Sequence, residues 1–197
     1  MFIEQLGLIL TGFLGGSVLF SRYLPALVKQ VDVVAASDDH NPGAANAIKY
    51  GGVPLGLCCL FLDIMKGFMP VFAAVTWYGH EIPLFFLIMA APVAGHAFSV
   101  FNRGKGGKAI AVSFGVLIAL LPVSLPVFIV CFFYLFFSLI VIIRDHGKRT
   151  AVTFSIFAFI MGVFGFLRRL VPQICVGSVL VSAIVIYKNC PRECTED

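Results

Sequence analysis

Residues 124–143 read SLPVFIVCFFYLFFSLIVII, which is a run without a single charged side chain. A helix of about 20 apolar residues spans the hydrocarbon core of a bilayer. The whole chain has the same bias, because 60% of its 197 residues are hydrophobic and only 12% are charged. A soluble domain carries about 25% charged residues. The sequence therefore predicts an all-α protein that lies in a membrane.

Apolar runs of this kind recur along the chain and predict a polytopic bundle of about seven transmembrane helices in a single domain, residues 1–197. The predicted spans are Phe2–Val28, Tyr50–Trp77, Ile82–Phe101, Ala109–Leu121, Ser124–Ile143, Ala151–Leu167 and Pro172–Tyr187. The first lacks a preceding basic segment and is too long for a signal peptide, so we interpret it as a retained helix. The fourth is short, and Pro122 and Pro126 leave open that it forms one bent unit with the fifth.

The positions of Lys and Arg predict the orientation. They cluster in the first, third and fifth loops and the C-terminal tail, whereas the N-terminal end and the second and fourth loops have none. The positive-inside rule then places the N-terminus outside and the C-terminus in the cytoplasm. Arg168 and Arg169 in the sixth loop are exceptions. A net charge of +4 does not indicate nucleic acid, and the spacing of Cys190 and Cys194 is too weak a pattern to predict a metal site.

Polar residues 38–46 precede the second span and include Asn41, Gly43 and Asn46. Gly and Asn permit tight turns, and Asn side chains both donate and accept hydrogen bonds to a polyol or a phosphate. The alternative is an ordinary turn that caps a helix.

The third loop reads Arg-Gly-Lys-Gly-Gly-Lys over residues 103–108. Its glycines allow the backbone to approach an anion, Lys105 and Lys108 supply charge, and the next helix begins directly afterwards. We therefore expect a phosphate pocket with backbone amides from Gly106 and Gly107. The alternative is a basic loop that contacts anionic lipid.

Ionisable residues inside or beside the spans are further candidates, because charge at membrane depth is costly. Asp63 and Lys66 lie three residues apart on one helix face, so they are expected to pair, either structurally or within a site. His96 lies about one and a half turns before the end of its span, where a lone His is more often a satisfied helix residue than a catalyst. His146 and Arg149 lie in the fifth loop. Gly15, Gly16 and Ser17 suggest either a site or a close helix contact.

Together these stretches resemble the bacterial acyl-phosphate:glycerol-3-phosphate acyltransferases of the PlsY type over residues 12–150. That family's Gly-Ser, Asn-x-Gly-Ala-Thr-Asn, Lys-Gly, Gly-His-x-Phe and Lys-Gly-Gly-Lys motifs occur here in the same order. The matching positions are Gly16-Ser17, Asn41–Asn46, Lys66-Gly67, Gly95–Phe98 and Lys105–Lys108.

The resemblance implies a cell-membrane enzyme of phospholipid synthesis that moves an acyl group from acyl phosphate to glycerol 3-phosphate without a cofactor. Catalytic roles are expected for His96, His146 and Asn46. Substrate-binding roles are expected for Ser17, Asn41, Gly43, Lys66, Lys105, Gly106, Gly107, Lys108 and Arg149.

Several positions depart from the family pattern. Where the family has Arg, this chain has Ala35, and where the family has Gly-Ser-Gly, it has Asp38-Asp39-His40. A family Pro, Gly and Asn are replaced by Ser99, Ala109 and Arg149, respectively. Negative charge thus falls where phosphate is expected. Asp38 and Asp39 could ligate a cation, recognise a hydroxylated headgroup or pair with the basic loops. A divergent enzyme for another phosphorylated polyol or lipid, and a non-catalytic transporter or lipid-binding protein, remain alternatives.

Overall fold

A computed structural model describes residues 2–190, and within that range the chain is helical with no β-strand. The helices are α1 Phe2–Ser17, α2 Phe20–Lys29, α3 Val33–Ala36, α4 Ala44–Gly51, α5 Val53–Tyr78, α6 Phe85–Ala97, α7 Ile110–Ile118, α8 Pro126–Leu139, α9 His146–Phe166 and α10 Pro172–Asn189. A 3-10 turn, Val100–Asn102, follows α6. The predicted all-α membrane bundle is confirmed.

The length of the helices gives fewer clear crossings than the sequence predicted. Among the described residues, four helical segments are long and apolar enough to span a bilayer: Val53–Tyr78, Phe85–Asn102, His146–Phe166 and Pro172–Asn189. The predicted first span is broken into α1 and α2, which are bent by 43°, and this pair makes a fifth candidate. Since α7 has nine residues and α8 has fourteen, the count of seven stays a prediction.

Helix α6 is the centre of the bundle. It packs against α1 on one side and α10 on another, while α5 packs against α7 and α9 against α10. Ten of its thirteen residues are buried, as expected for a helix that is apolar all round. The predicted close helix contact is confirmed at Gly16, where a Cβ would collide with the backbone of Pro92 in α6, whereas Gly15 faces open space.

Large apolar side chains cover the outside of the bundle. Leu57 and Phe61 on α5, Phe132 and Leu135 on α8, and Phe159 on α9 are each more than half exposed. Such a surface is unfavourable in water but suits the hydrocarbon of a bilayer. The polar segments 37–43 and 98–109 and the start of α9 meet at one end of the bundle, and residues from all three line a cavity.

Candidate active site

A cavity of about 330 Å³ lies where the polar segments meet. One wall is polar and the other is apolar, formed by Leu60 and Ile64 of α5 and by Ile110 and Phe114 of α7. The polar residues that line it are Asp39, Asn41, Asn46, Asp63, His96, Lys108 and His146. Six predicted site residues therefore meet at one place, namely Asn41, Gly43, Asn46, His96, Lys108 and His146.

The carboxylate of Asp39 is the centre of the polar wall. Its Oδ2 lies 2.8 Å from Lys108 Nζ. Its Oδ1 accepts hydrogen bonds from the Asn46 side-chain amide at 2.8 Å and from the Asn41 backbone N–H at 3.3 Å. Partial burial alone would raise the pKa of Asp39, but the hydrogen bonds from Lys108 and Asn46 outweigh burial and hold that pKa below its ordinary value. Pairing with the basic third loop is thus confirmed for Asp39, whereas Asp38 contacts Lys49 at 3.9 Å on the surface.

The loop 98–109 is packed closely onto the end of α6. The Gly107 N–H donates to the His96 carbonyl oxygen at 3.0 Å. A Cβ on Gly106 would collide with that same carbonyl oxygen, and a Cβ on Gly107 would collide with Nε2 of the His96 ring. The two glycines therefore let the basic loop lie against His96. The Gly107 amide is engaged by the protein itself, and its expected role in phosphate binding stays a prediction.

The predicted pair of Asp63 and Lys66 is confirmed. Lys66 Nζ lies 2.8 Å from Asp63 Oδ1 and donates to the Val18 carbonyl oxygen at 2.6 Å. The Ser21 hydroxyl donates to Asp63 Oδ2 at 3.2 Å. Both charged side chains are buried, and the Asp63 carboxylate borders the cavity while Lys66 lies behind it.

His96 reaches the cavity from the end of α6. Its side chain is 5% exposed, and its Nδ1 lies 3.9 Å from Asp63 Oδ1. Asp63 Oδ1 is paired with Lys66, whereas within residues 2–190 His96 Nδ1 has no hydrogen-bond partner. Buried polar atoms are normally satisfied, so an unpartnered imidazole nitrogen on a residue that lines a cavity indicates a place for a ligand's polar group.

The start of α9 brings His146 to the cavity. The Asp145 side chain caps this helix by accepting from the Lys148 N–H at 2.6 Å. Arg149 Nη2 lies 3.1 Å from His146 Nδ1, so the guanidinium donates to that nitrogen. Arg149 thus supports His146 from behind, and it is not among the residues that line the cavity.

Two other predicted residues lie outside the cavity. Ser17 is fully buried, and its hydroxyl donates to the Phe13 carbonyl oxygen at 2.9 Å while its own carbonyl oxygen accepts from Ser99. Lys105 is exposed, and its carbonyl oxygen accepts from Asn102. In this structure both hold the third loop, and their expected contact with substrate stays a prediction.

Sequence reasoning missed Asn189 near the end of α10. This buried side chain donates to the Lys108 carbonyl oxygen at 3.1 Å and so holds the cationic loop from the far end of the chain. The only feature of the sequence that could have indicated this contact was an amide side chain at the end of the last apolar run. Arg22, which donates to Asn102 Oδ1 at 2.6 Å, was missed as well. The weak pattern of Cys190 and Cys194 goes untested, because residue 194 lies outside the described residues.

Known proteins resemble this chain over most of its length. The profile of the family described as Glycerol-3-phosphate acyltransferase matches residues 6–192. A relative of that name from Maridesulfovibrio salexigens is 34% identical over 84% of this chain and 82% of its own. One from Thermotoga petrophila is 41% identical, but the match covers 55% of each chain, so it spans about half the length of that relative.

Solved structures agree with the sequence matches. The crystal structure of PlsY (YgiH), described as an integral membrane glycerol 3-phosphate acyltransferase in its glycerol 3-phosphate form, superposes with a TM-score of 0.78 at 26% identity. The match covers 94% of this chain and 88% of that one. The lysophosphatidic acid form superposes equally well. The chain belongs to the glycerol-3-phosphate acyltransferase family.

Proposed function

We propose that this protein transfers a fatty acyl group from acyl phosphate to glycerol 3-phosphate, giving lysophosphatidic acid and inorganic phosphate. The observation that carries the proposal is that amide, imidazole and ammonium groups face an apolar wall within one cavity. A polar acceptor and an acyl chain need these two kinds of surface side by side. The names of the relatives and the ligands of the PlsY structures support the same reaction.

In the proposed reaction the main task of the protein is to position the two substrates. Acyl phosphate is a mixed anhydride, so its carbonyl carbon is already activated. The acceptor hydroxyl oxygen bonds to that carbon, and the bond to the phosphate oxygen breaks with its electron pair. The hydroxyl proton leaves with the phosphate. Bringing the reactants together and stabilising developing negative charge supply most of the rate enhancement in such reactions.

The proposed roles follow from where each side chain lies. Lys108 binds phosphate at the cavity wall, and Asn41, Gly43 and Asn46 orient the acceptor. His96 and His146 position the reacting groups, with Arg149 behind His146. Lys66 acts from behind the wall through its ion pair with Asp63. Ser17, Lys105, Gly106 and Gly107 hold the basic loop in place.

The proposal extends to location and topology. We place the protein in a bacterial cell membrane as one domain of residues 1–197 with seven crossings, its N-terminus outside and its C-terminus in the cytoplasm. The excess of Lys and Arg in alternate loops supports this orientation. Reporter fusions after Arg103 and after Arg168 test it, because the two fusion points are predicted to lie on opposite sides. Fusions that report the same side contradict the topology.

The test of function is release of phosphate from palmitoyl phosphate by the purified protein. We expect release that depends on glycerol 3-phosphate and produces lysophosphatidic acid. Lys108→Met should abolish it, whereas Lys49→Met, the same change on the surface away from the cavity, should not. Absence of turnover together with binding of neither substrate would overturn the proposal. Rescue of a bacterium that lacks its own acyl-phosphate acyltransferase gives an independent check.

One observation favours a second candidate within the same chemistry. Asp39 places a carboxylate on the cavity wall beside Lys108, which is unusual for a site that receives anions. The same reaction with another phosphorylated polyol or lipid as acceptor is therefore the alternative. A panel of phosphate-bearing acceptors in the same assay separates the two.

A further inference from the structure

The cavity already contains an anion that belongs to the protein. The Asp39 carboxylate accepts hydrogen bonds from the Lys108 ammonium group at 2.8 Å, the Asn46 side-chain amide at 2.8 Å and the Asn41 backbone N–H at 3.3 Å. A phosphate oxygen is bound in proteins by the same kinds of donor, namely Lys, Asn and main-chain N–H groups. The protein's own carboxylate thus satisfies the donors that a substrate phosphate would use.

The loop geometry holds Asp39 in this position. His40, the next residue, has a left-handed backbone with φ of 46°, and its Nδ1 lies 3.0 Å from the Val34 carbonyl oxygen. The Asn46 side chain also donates to the Asn41 carbonyl oxygen at 2.8 Å, which ties the loop to α4. Asp39 is 44% exposed and Lys108 is 27% exposed at their side chains. The pair is therefore reachable by a ligand, and a stronger anion can displace the carboxylate.

We propose that Asp39 is a specificity-determining residue that competes with phosphate for Lys108 and Asn46 and so weakens the binding of a phosphate-bearing acceptor. This inference rests on the proposed function, because it concerns the acceptor subsite of the same cavity. When an anion binds, the carboxylate must leave Lys108, and the two negative groups then share one cation. Removing the charge of Asp39 frees the donors and removes the repulsion.

The adjacent residue supplies a matched control. Asp38 carries the same charge one position earlier, but its side chain is 98% exposed, contacts Lys49 at 3.9 Å and does not line the cavity. A general change of surface charge would act through either aspartate. An effect through the Lys108 subsite requires Asp39.

The experiment compares wild type with Asp39→Asn, Asp39→Ser and Asp38→Asn, all as purified full-length protein in detergent. It measures KM for glycerol 3-phosphate, kcat and inhibition by inorganic phosphate. For a partly exposed pair we expect both Asp39 variants to lower KM and the phosphate inhibition constant roughly two- to fivefold. The Asp38 variant should change neither. The value of kcat should stay within about twofold, since uniform binding alters KM alone.

Direct binding of glycerol 3-phosphate and of inorganic phosphate, measured by calorimetry, separates this inference from the proposed function. Tighter binding by the Asp39 variants in a protein without turnover supports the inference while the function fails. Suppose that wild type turns over and that Asp39→Asn, Asp39→Ser and Asp38→Asn all have the KM and the phosphate affinity of wild type. This result overturns the inference and leaves the proposed function intact. Weaker phosphate binding by both Asp39 variants also overturns it, because the carboxylate would then help to organise the site.

Discussion

The buried ion pair between Asp63 and Lys66 allows a quantitative test of how this apolar bundle holds charge. Lys66 Nζ lies 2.8 Å from Asp63 Oδ1, and the side chains are 5% and 2% exposed. Lys66→Met leaves the carboxylate buried with one hydrogen-bond donor among the described residues, the Ser21 hydroxyl. Removing one partner of a buried pair costs about 3–5 kcal/mol of unfolding free energy.

The double variant Asp63→Leu with Lys66→Met removes both charges and fills their space with apolar groups. Such replacements are often neutral or stabilising by about 1–4 kcal/mol. The Val18 carbonyl oxygen loses the Lys66 donor, and leaving a buried acceptor unsatisfied costs about 1–3 kcal/mol. Because these two contributions oppose each other, we expect the free energy of unfolding of the double variant to differ from that of wild type by no more than about 2 kcal/mol. Its activity should nevertheless be lost, because Asp63 borders the cavity.

Unfolding in mixed micelles, titrated with SDS and followed by circular dichroism, measures these differences. Lys49→Met is the control, since it breaks an exposed contact with Asp38 and should leave the midpoint where it is. Two results would refute the reasoning. One is a Lys66→Met midpoint equal to that of wild type, and the other is a double variant as unstable as the single one.

Three further predictions concern the loops around the cavity. Gly107→Ala places a Cβ against the His96 ring and should lower the rate of phosphate release at least about tenfold through misplacement of Lys108, whereas Gly15→Ala, which meets open space, should keep the wild-type rate. Ala109→Gly should scarcely change the unfolding midpoint in the SDS titration. Ala109 has a left-handed backbone with φ of 60°, and the relief of this strain offsets the loss of the buried methyl group. Ala74 is equally buried but helical, so Ala74→Gly should lower the free energy of unfolding by about 1.5–2 kcal/mol. The stability difference between wild type and Asp39→Asn should stay constant down to about pH 4 and then decrease as the pH falls through the lowered pKa of Asp39. A carboxylate with a depressed pKa stabilises the fold fully above the ordinary value of 3.8 and loses this contribution below it. A difference that shows no decrease below pH 3.8, or that disappears already at pH 6, contradicts the ion-pair assignment.

The sequence alone determined the class of fold and the end of the bundle where the candidate site lies. Long uncharged runs have few stable arrangements other than helices in a bilayer, because a helix satisfies its own backbone hydrogen bonds. Polar segments between such runs must lie at their ends. The spacing of Asp63 and Lys66 was also sufficient to predict their pairing, since residues three apart share a helix face.

Only the tertiary structure decided which polar groups meet. Lys108 contacts Asp39 across 69 residues, and Asn189 reaches the Lys108 carbonyl oxygen across 81 residues. No local spacing encodes such contacts, because they depend on how the helices pack and where the loops cross. The structure likewise placed Lys66 behind the cavity wall and broke the first apolar run after Ser17. Hydropathy reports the environment of a segment, whereas the direction of each polar side chain is fixed by its neighbours in space.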